Sequence, residues 1–285
     1  MDLEVRALSQ KHNLKISIVD LTESIQEIIT LQNTNKLASV AIGKFVIANC
    51  LVGADLKKGQ KIISDINGTG FAGTMIAEFQ DKTVRGYIQV PDFNLDEIKE
   101  DEGSPLSQVV GKIGFLQVSK DIGLKEPYSS KVQIVNGEIN IDFMYLLSQS
   151  DQVNSLVSSI VDLNEEGRVI KAVGIMIQLL PGHSEEDIDF LEEKLGSLEH
   201  LLETLKKTTV YESLIKDIAE DSKILETSEL KYKCTCNKQK VISSVKLIGQ
   251  EELQKIVDKN EEVEVICDFC KLKYNITASE IKKII

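Results

Sequence analysis

Residues Lys61–Val90 read KIISDINGTGFAGTMIAEFQDKTVRGYIQV, and the fold turns on how this stretch is parsed. Gly68, Gly70 and Gly73 form G-x-G-x-x-G after a strand-like run, the pattern of a dinucleotide-binding turn. That turn works because a helix starts inside the motif and offers its amide groups to a pyrophosphate. Here the next residues are Thr74-Met75-Ile76-Ala77-Glu78-Phe79, a short run that is β-branched at Thr74 and Ile76 and halted by a turn at Asp81. It makes a better strand than a helix, so the glycines belong to a hairpin bend. The stretch then resolves into three β-runs, Lys61–Ile66, Thr74–Phe79 and Val84–Val90, with Asn67-Gly68 and Asp81-Lys82 as turns. The expectation is an α+β protein built on an antiparallel sheet.

The flanks add helices and further strands. Leu14–Val19 reads as a strand. Thr22 followed by Ile25, Ile28 and Ile29 reads as a capped helix. Residues Thr34–Leu56 carry apolar side chains on most faces, which predicts a buried helix; Cys50 lies within it and reads as a packing residue. Gly114–Ser119 and Val169–Leu179 are additional strand candidates, and Pro181-Gly182 closes this part of the chain.

Beyond that break, Ile188, Leu191, Leu195, Leu198, Leu202 and Leu205 recur at intervals of 3 and 4, an apolar seam on an otherwise acidic helix. Tyr211, Leu214, Ile215 and Ile218 begin another such helix. These helices cannot bury their seams alone and must lie on the first domain, on each other or on a partner. The predicted organisation is an N-terminal mixed α/β domain over residues 1–182, an acidic amphipathic helical linker over 183–230, and a small C-terminal domain over 231–285.

Charge narrows the function classes. The formal net charge is −12, and Ser184–Leu230 carries five Lys against fourteen Asp and Glu. No basic patch large enough to release counterions from a polyanion offsets this field, so nucleic acid is not an expected partner. The first residues lack the apolar block of a signal peptide, and the longest apolar runs, Phe45–Ala54 and Ala172–Pro181, fall short of a bilayer span. The expectation is a cytoplasmic protein with no membrane contact, in a compartment where clustered cysteines read as metal-binding or redox-sensing. His12, His183 and His200 form no triad with a serine or cysteine, so no hydrolytic nucleophile can be named and an enzyme is not expected.

The chemistry-bearing constellation is Cys234-Thr235-Cys236 with Cys267-Asp268-Phe269-Cys270, two close thiol pairs thirty residues apart. Such pairs can converge on one tetrahedral zinc, and a four-thiolate shell leaves no position for substrate. The last ~55 residues hold little apolar surface for an independent core, so zinc would hold them folded, and thiol oxidation would release it. Two other readings stay open: a plain zinc ribbon acting as an adaptor for nucleic acid or one protein partner, and a thioredoxin-like Cys267–Cys270 pair.

Tyr232-Lys233-Cys234-Thr235-Cys236-Asn237 and Ile266-Cys267-Asp268-Phe269-Cys270 resemble the zinc motifs of the 33 kDa chaperonin family, redox-regulated bacterial heat-shock holdases. Ala41-Ile42-Gly43-Lys44, Val84-Arg85-Gly86-Tyr87, Leu124-Lys125-Glu126-Pro127-Tyr128-Ser129, Gly137-Glu138-Ile139 and Gln178-Leu179-Leu180-Pro181-Gly182 are similar to family blocks in family order. The resemblance covers essentially the whole chain. It implies an ATP-independent holdase that is inactive while reduced, with one zinc ion on Cys234, Cys236, Cys267 and Cys270. It further implies that oxidant joins Cys234 to Cys236 and Cys267 to Cys270, frees the zinc and loosens the linker. Apolar surface, with the seam from Ile188 to Leu205 as the candidate, would then bind unfolding client proteins, and the oxidised form would dimerise. Lys271 departs from the pattern, since glycine is expected after the second pair, where a turn of positive φ would suit it better.

Overall fold

A computed structural model describes residues 1–284 and divides the chain into two units, Met1–Tyr232 and a second beginning at Lys233. In the first unit, alternating burial along Asp2–Ser9 (β1) and near-continuous burial along Leu14–Asp20 (β2) make a hairpin. Helices follow at Thr22–Gln32 (α1) and Lys36–Val52 (α2). The predicted cap on α1 is corrected: Thr22 is already helical, and its hydroxyl turns back to Asp20. The amides of Glu23 and Ser24 instead donate to the Asp2 carboxylate at 2.8 and 2.7 Å, so the cap comes from β1. On α2, Asn35 caps the Ala38 amide at 2.9 Å, and the helix is buried on most faces, Cys50 included.

The meander is present as Lys61–Gly68 (β3), Thr74–Gln80 (β4) and Thr83–Ile88 (β5), antiparallel throughout. Asp81 and Lys82 join β4 to β5 with φ of +48° and +61°, a two-residue turn with both residues left-handed. Asn67-Gly68 is not the other turn. β3 runs through Gly68, and the connection is Thr69–Gly73, which packs against a helix at Pro105–Val110 (α3). The amides of Gly70, Phe71 and Ala72 donate to the carbonyls of Val110, Gln108 and Val109 at the end of that helix, at 3.2, 3.2 and 2.9 Å. These amides already have partners, so this loop is no phosphate cradle. Its glycines serve the close approach: a Cβ on Gly68 would sit 2.0 Å from the Val110 carbonyl oxygen.

Gly114–Asp121 (β6) and Tyr128–Gln133 (β7) extend the sheet beyond β3. A helix at Ile139–Leu146 (α4) leads to the edge pair Ser155–Leu163 (β8) and Val169–Leu179 (β9), which joins β2. Three helices follow, Glu185–Leu195 (α5), Leu198–Lys207 (α6) and Tyr211–Ile218 (α7). The expected helical linker over 183–230 is corrected at its far end, because Lys223–Tyr232 is a strand (β10). The reason is visible in KILETSELKY, where Ile224, Glu226, Ser228 and Leu230 are more buried than Leu225, Thr227 and Glu229 between them, a period of two. β10 pairs antiparallel with β1 along seven positions and parallel with β5 at only Lys231–Thr83 and Tyr232–Val84. The sheet has ten strands in the order β7-β6-β3-β4-β5-β10-β1-β2-β9-β8.

Two cores result. One lies between the sheet and α1, α2, α3 and α4, centred on Phe45, Ile47, Phe79 and Phe143. The other lies on the opposite face of β1, β2 and β9, where Leu201, Leu205, Tyr211, Leu214, Ile215 and Ile218 cover Val5, Ile16, Ile18, Val173 and Ile175. The helices α6 and α7 thus form a lid on one half of the sheet.

Candidate metal centre and its setting

In the second unit, Lys238–Val245 (α8), Gln250–Asp258 (α9) and Ala278–Ile281 (α10) accompany a hairpin of Val263–Ile266 (β11) and Lys273–Ile276 (β12). Val241, Val245, Leu253, Ile276 and Ile281 are its buried apolar core. With Ala278, these are the buried apolar side chains among the described residues of this unit, few for its size, which is the condition in which small domains need a staple.

Cys234 and Cys236 lie in the short coil between β10 and α8. Asn237 starts that helix by accepting the Lys240 amide at 2.9 Å, and Lys240 Nζ donates to the Thr235 carbonyl at 2.9 Å, fixing the segment between the two thiols. Cys267 and Cys270 lie in the turn of the β11–β12 hairpin. The Cys267 amide donates to the Leu272 carbonyl at 2.9 Å and the Lys271 amide to the Cys267 carbonyl at 2.8 Å, so the backbone folds back and both sulfurs face one point. Lys271 has φ of +58°, the left-handed conformation that favours glycine.

The four sulfurs lie within 4.8 Å of one another, with Cys234 Sγ to Cys267 Sγ at 3.7 Å and Cys236 Sγ to Cys270 Sγ at 3.4 Å. Sulfurs at the corners of a tetrahedron around zinc, each about 2.3 Å from the ion, stand about 3.8 Å apart, so the donor set fits such an ion. Burial and then the neighbouring thiols push the Cys270 thiol well up. A dication held by these four sulfurs would reverse that preference and make four thiolates compatible. Tyr274 places its hydroxyl 3.1 Å from Cys236 Sγ, and that contact pushes the phenol up to about 12. Sequence reading did not single out Tyr274; only its place on β12 reveals the contact.

The other expected site residues divide. Of the seam, Leu205 is buried, Ile188, Leu191, Leu195 and Leu202 are half-buried, and Leu198 is 51% exposed. Gly196, with φ of +62°, breaks the seam into two helices, and Leu201, absent from the predicted seam, takes the buried place on α6. Cys50 is fully buried and burial pushes its thiol well above the ordinary range, which keeps it unreactive. His12 stacks on Phe190 at 3.5 Å, and His183 Nδ1 lies 3.0 Å from the Leu180 carbonyl, so each has a structural partner. Among the described residues, no helix is long and apolar enough to cross a membrane.

Fold and site together define an α+β protein with a ten-stranded sheet and a cluster of four cysteines that could hold a metal ion. The profile of the family described as Hsp33 protein matches residues 2–277. The 33 kDa chaperonin of Clostridium perfringens (strain SM101 / Type A) is 33% identical over 288 residues, covering 100% of this chain and 91% of that protein. That of Syntrophotalea carbinolica is 34% identical, covering 99% of this chain and 98% of its own length. The crystal structure of the 33 kDa chaperonin (HSP33) from Thermotoga maritima superposes with a TM-score of 0.85 at 27% identity, over 99% of this chain and 97% of that one. The chain belongs to the Hsp33 family.

Proposed function

We propose that this protein is a redox-regulated, ATP-independent holdase chaperone that binds unfolding proteins under oxidative stress in the cytoplasm. Its switch is one zinc ion held by Cys234, Cys236, Cys267 and Cys270 in the reduced form. The convergence of the four sulfurs carries this reading, because a closed thiolate shell has no catalytic vacancy but responds to oxidant. Bound zinc supplies folding free energy, on the order of 10–16 kcal/mol for small thiolate sites. Joining Cys234 to Cys236 and Cys267 to Cys270 withdraws the ligands, with two electrons leaving each pair of sulfurs for the oxidant. The second unit, with its small core, then unfolds.

The first unit supplies a path for the consequence. β10 ends at Tyr232, two residues before Cys234, and its grip on β5 is only two residue pairs. Loss of order running into β10 loosens the chain that carries α5, α6 and α7. Undocking of these helices uncovers Val5, Ile16, Ile18 and Ile175 together with the seam residues Ile188, Leu191, Leu195, Leu198, Leu202 and Leu205. This surface is the proposed client site, and exposed apolar area of this kind also favours dimerisation of the oxidised form.

The test is light scattering of an unfolding protein at mild heat, without ATP, beside the reduced zinc-loaded chain or the peroxide-treated chain. Suppression by the oxidised form alone supports the proposal. Equal suppression by both leaves a chaperone with structural cysteines, and suppression by neither returns the protein to the adaptor class.

A further inference from the structure

Tyr274 stands on β12 opposite Val265 of β11, and its ring packs against the small core of Val241, Val245, Leu253, Ile276 and Ile281. The core fixes where its hydroxyl points, which is 3.1 Å from Cys236 Sγ. A metal-bound thiolate carries no proton, so in that state the hydroxyl is the donor and the sulfur the acceptor. Hydrogen bonds to ionised acceptors are roughly twice as strong as neutral ones, and outer contacts of this kind tune a metal ligand without touching the metal.

We propose that Tyr274 is a positioning residue that sets the oxidant threshold of the cysteine cluster: its O–H bond to Cys236 makes that sulfur a slower nucleophile toward peroxide. This rests on the reading that the four cysteines hold a metal and are oxidised. The step affected is attack of a sulfur lone pair on one peroxide oxygen. An S–O bond forms, the O–O bond breaks and hydroxide leaves, giving a sulfenic acid. A second thiolate then attacks the oxidised sulfur, an S–S bond forms and a second hydroxide leaves. Two sulfurs have together given up two electrons and one peroxide has been reduced. The hydrogen bond from Tyr274 draws electron density from the Cys236 sulfur and weakens as that sulfur gives up charge to the peroxide, which adds to the barrier of the first attack.

The experiment compares the full zinc-loaded chain with Tyr274→Phe, which keeps the ring in the core and removes only the hydroxyl. Peroxide-triggered zinc release, followed with a colorimetric chelator, is expected to be roughly fivefold faster in the variant, the scale of one charge-assisted hydrogen bond partly relaxed in the transition state. With cobalt in place of zinc, the sulfur-to-cobalt charge-transfer band is expected at lower energy in the variant, while the tetrahedral d–d bands show that the site has assembled. Equal release rates and an unmoved charge-transfer band overturn the proposal. Should Tyr274→Phe fail to assemble, 3-fluorotyrosine in the unmutated chain supplies a stronger donor and is expected to slow release; unchanged release then overturns it. Zinc release and the cobalt spectrum are read without any client. If release depends on Tyr274 but neither redox form suppresses aggregation, the holdase reading fails and the tyrosine assignment stands.

Discussion

Tyr211 Oη donates to Asp20 Oδ2 at 2.5 Å, tying the first residue of α7 to the last residue of β2. Lys171 Nζ on β9 reaches the same oxygen at 2.8 Å, and the Thr22 hydroxyl donates to the other carboxylate oxygen at 2.6 Å. Three elements therefore share one buried carboxylate, and the helix lid is attached to the sheet by a charge-assisted bond as well as by apolar contact. Removing the hydroxyl with Tyr211→Phe leaves the ring in place and forfeits about 1.5–3 kcal/mol of a hydrogen bond to a charged group. Amide exchange across α7 should speed up in the reduced protein, and binding of an apolar dye should rise before any oxidant is added. Unchanged exchange would show that apolar packing alone holds the lid.

The same carboxylate gives docking a pH dependence. Burial pushes Asp20 up, but the bonds from Lys171, Thr22 and Tyr211 outweigh it and hold the group below its ordinary value of 3.8. A carboxylate depressed in the folded state contributes stability that is fully present above its unfolded pKa and is lost as pH falls through its folded pKa. The contribution of Asp20 to docking of α7 should therefore be constant from neutrality down to about pH 4 and be lost progressively below it. Dye binding by reduced protein, titrated downward in pH, reads this directly, and Asp20→Asn should remove the step.

Glu226 predicts a second acid-sensitive joint, on β10 itself. Ser228 and Arg6 hold its carboxyl down to about 2, with Lys82 adding to the effect. Its side chain is 37% exposed, so solvent screening limits the pair to about 0.5–1 kcal/mol. Glu226→Gln should lower the stability of the first unit by that amount above the ordinary glutamate value of 4.5, and the difference should vanish toward pH 2. Parallel denaturation curves at pH 7 and pH 2.5 measure it.

How much of this was legible in the sequence depends on the range of the forces involved. The meander at Lys61–Val90 and the buried α2 were readable because alternation and turn chemistry are local. The four cysteines were readable because ligand spacing is a short-range pattern. β10 was missed because an acidic stretch with Glu226 and Glu229 resembles a continued solvated helix. Only the partners of Glu226, Arg6 on β1 and Lys82 in the β4–β5 turn, explain a carboxylate inside a sheet, and both are distant in sequence. The cap of α1 by Asp2 and the Tyr274 contact with Cys236 are likewise products of tertiary placement. The seam was partly misread because Gly196 resets the helical phase and turns Leu198 outward while Leu201 turns in.

That phase reset separates two leucines that the periodicity alone treats as equivalent. Leu205 is fully buried against the sheet, and Leu205→Ala should cost about 2–5 kcal/mol through lost burial and the cavity left behind. Leu198 is 51% exposed, and Leu198→Ala should change stability by less than about 0.5 kcal/mol. Urea denaturation of the reduced protein discriminates them; comparable costs would mean that the α6 face is assigned wrongly.

The last prediction concerns the knuckle turn, where Lys271 holds φ of +58°. A left-handed conformation costs a residue with a Cβ about 1–2 kcal/mol, and glycine is free of that cost but loses more chain entropy on folding, by roughly 0.5–1 kcal/mol. The net for Lys271→Gly is a gain of about 0.5–1 kcal/mol. Because folding of such a unit and metal binding are one equilibrium, the gain should appear as zinc affinity roughly threefold higher in competition with a chelator. Slower zinc release under peroxide should accompany it, since the ligands are then held in a less strained turn. A weaker zinc affinity would instead mean that the ammonium group of Lys271 offsets the negative charge of four thiolates around one dication by more than the backbone strain it introduces.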